Sequence, residues 1–125
     1  MPDSSFFMNT QFEKYVKFGT DVFGAANMLD PDTRMERLLE EVFELAQAHG
    51  VSLEEIRRVA EFAYNKEPGP VAEEAADVLF TLVAYGSSQG VDFDHECATK
   101  MEAVINKHAF FKLRGEQKTP IVGVS

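Results

Sequence analysis

The chain has 125 residues, 45% of them hydrophobic, and a formal charge of −9. That length suits one domain with its own core, spanning residues 1–125. The acidic balance excludes a protein that grips a nucleic-acid polymer, since such a protein needs a basic face. No apolar run reaches the ~18 residues of a membrane helix.

Residues 1–9 read as irregular, with Phe6 and Phe7 as anchors. Residues 11–23 carry Phe12, Tyr15, Val16, Val22 and Phe23 near helical spacing. Asp30-Pro31 starts a second helix, with proline at its first position, and Gly50 ends it after His49. Ser52-Leu-Glu-Glu55 is a capping box for a third helix through Tyr64. Residues 65–70, with two prolines and a glycine, form a connector. A fourth helix covers 71–89 and stops at Gly90, and Asp92 caps a fifth through about Lys112. Residues 114–125 read as a loose tail. Nothing alternates with the period of a strand, so the expected class is all-α, a bundle of about five helices with short connections. The single cysteine, Cys97, has no internal disulfide partner and points to a reducing, cytoplasmic setting. No basic stretch with a following apolar block marks a signal peptide at the start.

Two acidic pairs lie inside the two most apolar segments: Glu41-x-x-Glu44 and Glu74-x-x-Asp77. Carboxylates three apart on a helix sit one turn apart on one side and repel each other. Residues 71–85 are apolar around most of a helical wheel, which predicts a buried helix. Glu74, Asp77, Thr81 and Ser88 form its narrow polar stripe. The helix dipole accounts for Glu73 and Glu74 in the first turn but not for Asp77. On the earlier helix, Glu41 and Glu44 lie at the edge of the apolar face, and an ion pair from Arg37 to Glu41 is an equally good account of them. Glu36, Glu40 and Glu44 add a column of like charge at i, i+4. Four carboxylates on facing helices would suit a hard divalent cation. The two segments also echo one another: an acidic pair, apolar helix, then Gly50-Val51-Ser52 or Gly90-Val91-Asp92.

These motifs resemble the all-α nucleoside triphosphate pyrophosphatases, the superfamily of MazG proteins, dimeric dUTPases, dCTP pyrophosphatases and phosphoribosyl-ATP pyrophosphohydrolases. The shared pattern is E-E-x-x-E on one helix and E-x-x-D on a later one. It appears here as Glu40-Glu41-Val-Phe-Glu44 and Glu74-Ala-Ala-Asp77, with Gly90-Val91-Asp92 and Thr99-Lys100-Met101-Glu102 also similar. The likeness spans about residues 34–112. It implies Mg²⁺, with Mn²⁺ as an alternative, held by Glu41, Glu44, Glu74 and Asp77. It implies that Glu40, or a ligand such as Glu41, takes the proton of the attacking water. Lys100 matches the family's phosphate-binding lysine. The family's asparagine position holds Val104 here, leaving Asn106 two residues on, and Lys107 faces the same way as Lys100. The expected reaction is release of a nucleoside monophosphate and pyrophosphate, as in nucleotide-pool house-cleaning. The expected partners are a small nucleotide and further copies of the chain, as homodimer or homotetramer, with neither a nucleic-acid polymer nor a membrane.

Three other readings remain open. One is a phosphoribosyl-ATP pyrophosphohydrolase-like enzyme. Another is a di-iron carboxylate bundle, which needs Glu-x-x-His on two helices. None of His49, His95 and His108 follows a glutamate by three. The last is a non-catalytic helical interaction protein, which the displaced asparagine keeps in play.

Overall fold

A computed structural model describes residues 10–113, with the backbone alone for residue 10 and residues 108–113. The expectations for Phe6, Phe7, the side chain of His108 and the tail 114–125 lie outside the described residues. The described elements are helical throughout: α1 (Thr10–Phe23), α2 (Ala25–Leu29), α3 (Pro31–His49), α4 (Leu53–Tyr64), α5 (Val71–Ser88) and α6 (Phe93–Leu113). The all-α class therefore holds. The helix that sequence reading omits is α2. Gly24, at φ 91°, breaks α1, and five residues are too few to show a 3.6-residue period.

The chain divides into two compact units, residues 1–44 with 101–125, and residues 45–100. In the first unit α2 folds against α1. Gly19 is buried where they meet, and a Cβ there would collide with the thioether of Met28. Phe18 meets Phe23 edge to face at 6.0 Å. Asn27 donates to the Phe23 carbonyl at 3.2 Å and ties the short helix back to α1. Asp30 caps α3: its carboxylate accepts from the Thr33 N–H at 3.0 Å and from the Thr33 hydroxyl.

In the second unit two helix ends use one design. Gly50 (φ 98°) donates to the Gln47 carbonyl and Val51 to that of Ala46. Gly90 (φ 68°) donates to Ser87 and Val91 to Gly86. Both are left-handed glycine caps with the paired hydrogen bonds of a Schellman turn. Each runs straight into a helix cap: Ser52 accepts from the Glu55 N–H at 3.1 Å, and Asp92 from the His95 N–H at 3.1 Å. The capping box is only half made, because the Glu55 carboxylate turns away from Ser52 to Arg58. Gly86, the buried residue of α5, lies under the Phe93 ring, which a Cβ would strike.

The expectation of a buried α5 is corrected. Val71, Val78, Phe80 and Val83 stay 45–84% exposed, and no hydrophobic side chain among the described residues is buried. The last turn of α3, α4 and the start of α6 are all that this unit offers as neighbours. A helix apolar through most of its circumference needs cover on more sides than these provide.

Candidate functional site

On α3, successive residues turn by about 100°, so Arg34, Arg37, Glu41 and Glu44 fall in one arc of the wheel. Arg37 occupies the middle of it. Its Nη1 lies 3.0 Å from Glu40 Oε1 and its Nη2 2.7 Å from Glu41 Oε1. Glu40 is 26% exposed and Glu41 53%. Ion pairs this open to solvent are worth a few tenths of a kcal/mol, so they hold the carboxylates only loosely. The Arg37–Glu41 contact expected from the spacing is therefore present, and the guanidinium takes Glu40 as well. Glu44 is exposed one turn beyond.

On α5, Glu74 lies in the first turn, with its carboxylate beside Gly69. A Cβ at Gly69 would stand 3.5 Å from Glu74 Cδ, an ordinary contact. Asp77 follows one turn later and is exposed. Among the described residues no cation pairs with either carboxylate. The lower end of the same stripe is spoken for, since Ser88 donates its hydroxyl to the Tyr85 carbonyl at 2.6 Å.

Glu41 and Glu44 belong to the first unit, Glu74 and Asp77 to the second. Among the described residues, no three His, Cys, Asp or Glu side chains gather closely enough within a unit to hold a metal ion. Within its own unit, each pair is a helical stripe of hard oxygen donors.

On α6, Lys100 is exposed in the second unit, while Asn106 and Lys107 are exposed in the first. The helix is unbroken between them. At about 100° per residue, Lys107 and Val104 stay on the Lys100 side, whereas Asn106 is turned roughly 120° from it.

Two features lie outside the sequence reading. His49 Nδ1 is 2.8 Å from Tyr85 Oη, a contact between α3 and α5. Arg34 has a guanidinium nitrogen, Nε, shielded from solvent with no hydrogen-bond partner. Sequence gives no signal for either, because both depend on contacts between helices. No family model, curated protein or solved structure matches the chain. None of the described helices is long and apolar enough to cross a membrane.

Proposed function

We propose that the chain is a Mg²⁺- or Mn²⁺-dependent nucleoside triphosphate pyrophosphohydrolase of the cytoplasm, working as a homodimer or homotetramer. The observation that carries this is the repeated unit. Each acidic pair lies inside regular helix, with both carboxylates on one stripe, and each helix ends in the same Gly-Val-cap turn. The donor set supports a hard cation: every candidate ligand is a carboxylate, and Glu74 and Asp77 face solvent as like charges without a cationic partner among the described residues.

Glu41, Glu44, Glu74 and Asp77 would hold the cation. When bound, it supplies a Lewis acid for phosphoryl oxygen and the positive charge that lets a triphosphate approach an acidic surface. Glu40, next to Glu41 on α3, would accept the proton of the attacking water. The water oxygen bonds to the α-phosphorus and the α–β bridging bond breaks, leaving a nucleoside monophosphate and pyrophosphate. Lys100 and Lys107 contribute positive charge for the phosphates, with Asn106 as a further polar contact. The exposed apolar side chains of α5 support self-association, because a second copy would supply the cover they lack.

The competing reading is a non-catalytic bundle. Arg37 already neutralises part of the α3 acidic stripe, and Val104 stands where the resemblance expects asparagine. The deciding experiment is a panel of nucleoside triphosphates and phosphoribosyl-ATP, incubated with Mg²⁺ and scored for pyrophosphate. Release from any of them, abolished by chelator, supports the enzyme. Silence across the panel favours the bundle.

A further inference from the structure

Arg34 is unusual in a chain of net charge −9. Arg37 and Arg58 each pair with glutamates one helical turn away, whereas Arg34, like Arg57, makes no ion pair among the described residues. Its Nε is shielded from solvent and has no acceptor. Its Nη1 points at the Met28 sulfur, 3.9 Å away, a weak acceptor. Met28 is itself fixed, because it fills the space left by the missing side chain of Gly19. The guanidinium therefore packs against Met28 at the junction of α1, α2 and α3, with the charge of Asp30 acting on it but no ion pair between them. The Asp30 carboxylate, four residues before it, hydrogen-bonds to Thr33 instead. Leaving a shielded guanidinium donor without an acceptor is unfavourable, and such groups call for a missing partner.

We propose that Arg34 is a phosphate-binding residue, gripping the distal phosphates of the anionic ligand whose cation the α3 carboxylates hold. This rests on the reading of Glu41 and Glu44 as cation ligands. Seven residues separate Arg34 from Glu41, two turns along the same face, or about 10.5 Å. That distance suits a polyphosphate with one end at each residue. The planar fork of a guanidinium matches two phosphate oxygens, and its orientation is already set, so little freedom is lost on binding.

The test uses the full chain, with Mg²⁺ alone and with Mg²⁺ plus inorganic pyrophosphate, read by calorimetry and thermal melting. Arg34→Met keeps the long stem against Met28 and removes the fork; Arg34→Lys keeps the charge. Arg34→Met should bind pyrophosphate at least tenfold more weakly than wild type, with Arg34→Lys in between. The response to Mg²⁺ alone should be unchanged. Without ligand, Arg34→Met should melt at or above the wild-type temperature, because an unpaired donor has gone. Equal pyrophosphate affinity in wild type and Arg34→Met overturns the proposal. So does a ligand-free Arg34→Met that melts well below wild type and loses its Mg²⁺ response, since Arg34 is then a packing residue. Nucleotide hydrolysis measured on the same samples separates the two readings. Hydrolysis with KM untouched by Arg34→Met removes this role and leaves the enzyme. Arg34-dependent pyrophosphate binding without hydrolysis removes the enzyme and leaves this role.

Discussion

His49 and Tyr85, thirty-six residues apart, meet with Nδ1 2.8 Å from the phenol oxygen and their rings edge to face at 5.4 Å. The pair ties the last residue of α3 to the last turns of α5 within one unit. Tyr85→Phe keeps the ring and removes the hydrogen bond. A double-mutant cycle of Tyr85→Phe with His49→Ala, read by urea melts, should give a coupling of about 0.5–1 kcal/mol, the lower part of the range because the pair is open to solvent. Strict additivity would mean that the contact contributes nothing.

The two glycine caps should be the least replaceable surface positions. Gly50→Ala and Gly90→Ala force a Cβ into left-handed backbone and should each cost about 1–2 kcal/mol. Gly86→Ala fails for another reason, collision with the Phe93 ring. Phe93→Leu should therefore restore part of the stability lost in Gly86→Ala and none of that lost in Gly90→Ala.

Asp30 is held below the ordinary carboxylate range by the Thr33 hydroxyl, then by the Thr33 N–H, against desolvation and with a smaller contribution from the charge of Arg34. A depressed folded pKa means that this cap stabilises fully above the unfolded value near 3.8 and loses that contribution as pH falls through the lower folded value. Asp30→Asn can still cap but cannot titrate. Melting temperatures from pH 6 down to pH 2 should fall more steeply for wild type than for the variant, and parallel curves would refute the assignment.

Millimolar Mg²⁺ should raise the melting temperature relative to chelator, by the equivalent of about 2.7 kcal/mol at a hundredfold excess over Kd. Glu44→Gln and Asp77→Asn keep size and remove a hard anionic ligand. Both should abolish hydrolysis with helical circular dichroism intact. Either variant turning over at the wild-type rate would move the chemistry elsewhere.

Lys100→Ala and Lys107→Ala should each lower kcat/KM while leaving the Mg²⁺ response alone. Val104→Asn places an amide on the Lys100 side of α6, where Asn106 does not point, and should raise turnover. Three silent substitutions in steady-state kinetics would leave α6 without a part in phosphate binding.

Most helix boundaries were legible because their signals are local. The Gly50 and Gly90 stops and the Asp30, Ser52 and Asp92 caps act within a few residues of where they are written. The surroundings of α5 were not legible. Its apolar wheel says that it wants cover, but not that Val78, Phe80 and Val83 find too little of it within the unit. The acidic pairs could be read as stripes, since their spacing fixes their side of a helix. Their company could not, because Arg37 reaches Glu40 as well as Glu41 through rotamer choice, and Arg34 depends on where Met28 lies.

The matching turns at Gly50 and Gly90 bear on how the chain acquires its structure. Each joins two helices through hydrogen bonds spanning only a few residues and opens the next helix at the second residue after the glycine. Closing such short loops takes well under a microsecond, and helix growth is as quick. Both helix–turn–helix joins can thus form early and independently, before any contact distant in sequence is made. The slow step is left to the pairing of surfaces that no local signal specifies, the flanks of α5 above all. Refolding should accordingly show rapid recovery of helical signal, followed by a slower phase whose rate depends on protein concentration if further copies provide the cover.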